Sequence, residues 1–259
     1  LLNETNKVNV LIMNHTHKTY TLKKGSVIAK VITVDQHSVN PPEFKVSSVD
    51  FSDIRVPDQH KADIQTVLYN NRDLFAATDK DLGRTSTVTM KIDTGDHKPI
   101  ALKPYRTPLT KRKVVEDTIS DLLKNGIIER TNGPWAFPVV IVPKSDGSER
   151  FCVDFRALNQ ITTNLSHPLP LIDDILSLLS DCKYFTSLDL RAGYWQVAMD
   201  PSSKEKASFT TFAGNFCFNV MPFGLSGAPA VFSQLMSIVL EGLNFATAYL
   251  DDVMIFSKT

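Results

Sequence analysis

Asp251 and Asp252 stand side by side inside an apolar run, with Phe245–Leu250 before them and Val253–Phe256 after them. A carboxylate is almost never buried without a partner, because desolvating the charge costs more than the neighbouring apolar contacts return. The flanks Phe245–Tyr249 and Val253–Phe256 are rich in β-branched and aromatic residues. They read as two short strands with Leu250, Asp251 and Asp252 at the turn between them. On a continuous strand adjacent side chains face opposite ways, whereas a turn lets two neighbours approach one point. An ordinary turn also fits, since Asp is a common turn residue. The rest of the chain has to decide.

At 259 residues there is room for one large or two modest domains, and the apolar and charged fractions are those of a globular protein. The longest apolar stretch, Trp135–Val142, is interrupted by Pro138 and falls short of the ~20 residues that span a bilayer. No membrane association is expected. Leu1–Val10 lacks the basic-then-apolar pattern of a secretory signal and has no initiator methionine, so the chain reads as an excerpt. Cys152, Cys182 and Cys217 are odd in number and widely spaced, which argues against a disulfide framework or a cysteine zinc site and for a reducing, cytoplasmic setting. The formal net charge of +0 excludes nucleic-acid binding by overall basicity. A local run does stand out. Lys98, Lys103, Arg106, Lys111, Arg112 and Lys113 follow one another without an acid, and form either a phosphate-facing patch or a solvated face.

The periodicity predicts an α+β chain, antiparallel sheet backed by helices. Residues 1–46 read as small β hairpins, and residues 47–125 as a linker and helical lead-in, with helices over 57–74 and from a Thr110 cap to Asn125-Gly126. Residues 126–259 carry strand patterns at 136–142, 150–154, 184–190, 194–199, 207–212 and 216–220, and helices at 171–179 and 228–240.

Asp189 closes the apolar run Tyr184–Leu188, which reads as a buried strand, and Gly193 soon after it permits close backbone approach. One strand end and one hairpin tip can therefore bring three carboxylates together, although a strand-end cap or salt bridge also accounts for Asp189 alone. Converging carboxylates repel unless cations neutralise them, and oxygen ligands of this kind suit Mg²⁺. Two such ions ~3.5–4 Å apart form the usual clamp for in-line phosphoryl transfer.

Five segments stand in the order seen in reverse transcriptases: Trp135–Val140, Arg150–Asn159, Ser187–Tyr194, Met221–Leu225 and Tyr249–Asp252. The chain closely resembles the Pol polyprotein of gypsy-type long-terminal-repeat retrotransposons. The resemblance implies the fingers and part of the palm of a right-hand polymerase over 126–259. It implies an RNA-directed DNA polymerase that uses two Mg²⁺ ions, with Mn²⁺ a possible substitute, acts on a primed RNA or DNA template with deoxynucleoside triphosphates, and works beside the remainder of Pol in retrotransposon particles. Asp189, Asp251 and Asp252 match the catalytic and metal-binding aspartates, with the Leu190 carbonyl also facing a metal. Lys144 and Arg150 match the residues that hold the triphosphate. Tyr194 falls where an aromatic ring lies beneath the sugar and excludes ribonucleotides, and Phe223 stands where many retroviral enzymes have glutamine. Lys103, Tyr105, Arg106 and Arg156 fall to the nucleic acid.

Asp93-Thr94-Gly95 spells the signature of an aspartic protease, but Asp96-His97-Lys98-Pro99 follows it where a buried apolar strand is required. The protease reading is rejected. Thumb, connection and ribonuclease H regions are expected beyond Thr259. The stretch by itself should therefore be weakly active or inactive, and the competing reading is a catalytically incompetent nucleic-acid-binding fragment.

Overall fold

The computed structural model describes residues 58–76, 82–143, 147 and 149–258. The expected β-rich segment 1–46, the linker to residue 57 and the turn containing Lys144 lie outside them. The chain divides into two compact units, one ending at Arg84 and one running Thr85–Thr259.

In the first unit, α1 (Asp58–Asn70) is followed by a 3₁₀ turn, Arg72–Leu74, which together fill the helix expected over 57–74. Ile64 and Leu68, four residues apart, are its half-buried apolar positions.

The second unit opens with β1 (Thr85–Met90) and α2 (Leu109–Lys124), whose buried face is Val115, Ile119 and Leu122. The residue at the start of α2 is Pro108, so Thr110 lies inside the first turn and does not cap it. The other end follows the sequence. Gly126, at φ 63°, takes the left-handed stop, while the N–H groups of Gly126 and Ile127 bond back to the carbonyls of Leu123 and Leu122.

A five-stranded sheet is built from β2 (Ile128–Arg130), β3 (Phe137–Pro143), β4 (Glu149–Val153), β7 (Ser208–Thr211) and β8 (Gly214–Phe218), in the order β2-β8-β7-β3-β4. All its pairs are antiparallel except β3–β7. Its core is aromatic. Phe209 contacts Phe151, Phe216 and Phe218 with ring centroids 5.3–5.5 Å apart, and Phe137 meets Phe155 edge-on at 5.6 Å.

The second sheet is antiparallel and ordered β5-β10-β9, from β5 (Tyr184–Asp189), β9 (Ala246–Tyr249) and β10 (Asp252–Ser257). Helix α5 (Ala228–Val239), with proline in its first turn as expected, packs against β1 and β9. A short strand, β6 (Val197–Met199), pairs in parallel with β1. Two further helices, α3 (Arg156–Ile161) and α4 (Ile172–Leu179), connect the sheets in sequence.

Three further expectations are corrected. The strand expected over 194–199 begins as a 3₁₀ turn, Gly193–Gln196, because Ala192 enters it in a left-handed conformation (φ 44°, ψ 50°) that no strand continues. Tyr184–Leu188, read as buried, is largely exposed, and α4 buries none of its residues. Asp252 belongs to β10 and not to the turn, leaving Leu250 and Asp251 as a two-residue loop.

Candidate active site

Hairpin register assembles the carboxylates. Asp252, the first residue of β10, lies directly opposite Asp189, the last of β5, and opposite Tyr249 on its other side. Directly opposed side chains on one sheet face have Cβ atoms about 5 Å apart, a distance at which like charges destabilise the pair. The tight loop places Asp251 one residue earlier, with Leu250 at φ 54°, an unusual conformation for a branched side chain. The Asp251 carbonyl accepts a bond of 3.0 Å from the Leu190 N–H, which ties the hairpin tip to the end of β5.

Asp251 is the half-buried member; Asp189 and Asp252 are exposed. Its Oδ1 is buried without a hydrogen-bond partner. Burial first, and then the charges of Asp189 and Asp252, push its carboxyl above the ordinary carboxylate range. An orphaned, desolvated carboxylate oxygen between two like charges is a place a cation fits. Among the described residues, no group of three or more His, Cys, Asp or Glu side chains is drawn together closely enough to hold a metal ion. An open set of carboxylates suits Mg²⁺, which keeps water and phosphate oxygens among its ligands.

Gly193 makes room for this arrangement. A Cβ there would lie 2.7 Å from Phe232 Cζ and 3.1 Å from Asp251 Oδ1. The Gly193 N–H donates to the Leu190 carbonyl at 3.3 Å, so one of that oxygen's two lone pairs is already engaged. Tyr194 follows, buried, with its ring stacked on Phe223 (5.1 Å, 22°) and tilted against Phe232 (5.2 Å). Burial, with the Asp251 charge adding to it, pushes its hydroxyl upward. Phe223 is half exposed above Tyr194. A small hollow of about 150 Å³ between α5 and β9 has no ionisable side chain in its lining.

The remaining expected residues within the described range fall on the five-stranded sheet, at the start of α3 and in the segment before α2. Arg150 is exposed on β4, opposite Val142. Arg156, at the start of α3, forms a two-pronged ion pair with Asp154, Nε to Oδ1 at 2.8 Å and Nη2 to Oδ2 at 2.7 Å. Tyr105 donates its hydroxyl to Asp154 Oδ2 at 2.9 Å. The Arg156 bond, the largest influence, holds the Asp154 carboxyl well below the usual range. With Leu102, Ala157 and Gln160 these residues line an open hollow of about 290 Å³. Asp154 is the member that sequence reasoning missed. It lies inside a quoted motif, but its link to Tyr105 spans 49 positions.

Of the six cations between Lys98 and Lys113, two are engaged by partners among the described residues. Lys111 pairs with Glu149 on β4, and the Arg112 guanidinium lies 4.9 Å from the centre of the Phe212 ring. Asp93, the protease-like aspartate, is exposed, accepts a bond from Gly95 N–H at 2.9 Å and forms a bridge with Thr163. It holds a turn.

Known proteins resemble this chain in sequence and in fold. A family model described as reverse transcriptase (RNA-dependent DNA polymerase) matches residues 142–259. The retrovirus-related Pol polyprotein from transposon 297 of Drosophila melanogaster is 31% identical over 96% of this chain, and that from transposon gypsy of the same organism 33% over 83%. The chain spans about a quarter of their length, 24% and 22%. Among solved structures, a prototype foamy virus protease-reverse transcriptase superposes with a TM-score of 0.73 at 26% identity, covering 80% of this chain and 28% of the other. The foamy viral protease-reverse transcriptase in complex with an RNA/DNA hybrid, at 22% identity and a TM-score of 0.70, covers 79% of this chain and 28% of the other, and shares the fold.

Proposed function

Residues 142–259 belong to the reverse transcriptase family, in a chain related to retrotransposon Pol polyproteins, and on that premise we propose that the protein catalyses RNA-directed DNA synthesis. The observation that carries this reading is Asp251 Oδ1, buried without a partner beside Asp189 and Asp252, whose backbones the sheet register sets opposite each other.

In the reaction, a primer 3′-oxygen attacks the α-phosphorus of a deoxynucleoside triphosphate, the bond to the β-phosphate oxygen breaks, and pyrophosphate leaves. Asp189, Asp251 and Asp252, with the free lone pair of the Leu190 carbonyl, would hold two Mg²⁺ ions, for which Mn²⁺ can substitute. When bound, these ions lower the pKa of the attacking hydroxyl and neutralise charge on the phosphates. Arg150 offers a forked donor to the triphosphate, and Lys144 a point charge. Tyr194 forms the floor beneath the sugar, where a 2′-hydroxyl would collide with its ring. Phe223 supplies packing in place of a hydrogen bond. Asp154 aims Tyr105 and Arg156 at the template strand, with Lys103 and Arg106 adding charge to its phosphates. The setting is intracellular, in retrotransposon particles; among the described residues no helix is long and apolar enough to cross a membrane.

The test is Mg²⁺-dependent primer extension by the chain and by a polyprotein-length form carrying it. Extension is expected from the longer form and its loss, with the fold intact, in Asp251→Asn. Binding of primer–template by the longer form without any extension would leave a catalytically incompetent nucleic-acid-binding protein in place of the enzyme.

A further inference from the structure

The Phe223 ring stacks on Tyr194, meets Trp195 at a tilt with centroids 6.2 Å apart and is half exposed, and contacts on so little of its surface do not fix its height. The loop carrying it is anchored from elsewhere. Its flanks have backbone bonds, Met221 N–H to the Val197 carbonyl at 2.9 Å and Ala228 N–H to the Leu225 carbonyl at 3.2 Å. Between them, the polar groups of Gly224 and Ser226 are met by one side chain from α3. Asn159 Nδ2 donates to the Gly224 carbonyl at 2.8 Å, and Asn159 Oδ1 accepts the Ser226 N–H at 2.9 Å.

One amide thus closes the loop on both sides of Leu225, across 65 and 67 positions of sequence. Gly224 sits at φ 93°, a conformation that side chains rarely adopt, so the direction of its carbonyl is bound up with the clamp. A second amide reinforces it, because Ser226 Oγ donates to Asn164 Oδ1 at 2.8 Å. Asparagine is the residue this geometry requires. Aspartate keeps the acceptor for Ser226 but turns an oxygen toward the Gly224 carbonyl; alanine leaves both groups unmet.

We infer that Asn159 is a positioning residue for nucleotide selection, setting the separation of Phe223 from Tyr194 and hence the fit of the sugar between the loop and the Asp251 site. The inference rests on the polymerase reading. Asn159 touches no reacting atom and acts through the ring it positions.

Two measurements test it. Hydrogen exchange on the 259-residue chain reads the clamp without catalysis, and Asn159→Ala should speed exchange at the Ser226 N–H by roughly five- to tenfold, the worth of one hydrogen bond, while Asn159→Asp, which keeps that acceptor, should not. Single-nucleotide extension by the polyprotein-length form reads its consequence. Discrimination of deoxy- over ribonucleotides should fall about tenfold in Asn159→Asp, through a raised KM for the deoxynucleotide, with kcat and primer–template affinity little changed. Phe223→Ala should lose discrimination similarly, and the double variant should lose no more than either single change, since both act on one ring. Unchanged exchange at Ser226 in Asn159→Ala, or a lower Tm with discrimination and KM intact in either variant, would reduce Asn159 to a structural role and overturn the inference. If the unaltered longer form adds no nucleotide, the polymerase reading fails and the selectivity claim with it, whatever the exchange result.

Discussion

At the level of single residues, the chemistry is concentrated in Asp251. Its carboxyl is raised by burial and by two like charges, so the ionised form costs the fold stability at neutral pH. A raised carboxyl is protonated in the folded chain before it is in the unfolded one, so stability is gained as pH falls through the folded pKa toward the ordinary range near ~4. Asp154 is shifted the other way, and its contribution is lost only at more acid pH, as pH falls through its lowered folded value. Metal-free chain should therefore melt higher as pH is lowered from 7 toward 5. Asp251→Asn should raise the Tm at pH 7 by about one to two degrees, allowing for partial solvent screening, and flatten that pH dependence. Mg²⁺ should raise the Tm of the original chain and not of the variant. A scanning-calorimetry series across pH, with and without Mg²⁺, checks all three, and an equal Mg²⁺ response in both proteins would place the ion elsewhere. Tyr194 carries the second residue-level prediction. Tyr194→Val should raise ribonucleotide incorporation at a cost of roughly 2–3 kcal/mol, since the ring's contacts with Phe223 and Phe232 go with it. Unchanged sugar selectivity with lowered stability would make Tyr194 a core residue only.

The turn between β5 and β6 shows at the element scale how the carboxylates are brought close. Gly193 has no unusual φ, so its requirement is space: a methyl would meet Phe232 Cζ at 2.7 Å, and Phe232 is itself fully buried. Gly193→Ala should cost about 1–3 kcal/mol in denaturant unfolding and shrink the Mg²⁺-dependent rise in Tm, because the displaced turn pushes on Asp251. A variant with unaltered stability would mean the ring yields freely. This glycine was legible in the sequence as a site of close approach, as were the hairpin, the end of α2 at Gly126 and, β2 apart, the strands of the five-stranded sheet. Each depends on residues adjacent in the chain. What sequence could not supply was contact at long separation: Asp154 to Tyr105, Asn159 to Gly224 and Ser226, and Lys111 to Glu149. The Tyr184–Leu188 run misled for a related reason. An apolar alternation states what a strand could bury, while exposure is decided by what lies across from it. Tyr184 and Phe185 lie opposite Ser257 and Phe256 within the sheet, yet each stays more than half exposed.

Across the whole molecule, a formal charge of +0 means that any hold on nucleic acid comes from a few placed cations and not from the overall field. The structure sorts those cations. Lys98, Lys103, Arg106 and Lys113 are exposed, whereas Lys111 is committed to Glu149 and Arg112 to the Phe212 ring. Counterion release makes the logarithm of affinity fall with the logarithm of salt by ~0.9 per phosphate neutralised on duplex DNA. If Lys103 and Arg106 each meet a phosphate, with two or three further contacts from Arg150, Lys98 or Lys113, the slope should lie between about −3 and −5. Lys103→Ala and Arg106→Ala should each make it shallower by about one. Lys111→Ala should leave the slope unchanged and lower the Tm instead, because Glu149 would be left partly buried with its partner gone. Fluorescence anisotropy of a labelled primer–template between 50 and 200 mM KCl measures all four proteins. A flat salt response would remove the phosphate-facing role of this segment. A shallower slope in Lys111→Ala would show that its ion pair opens to receive nucleic acid, so that the cations read as structural are in reserve for binding.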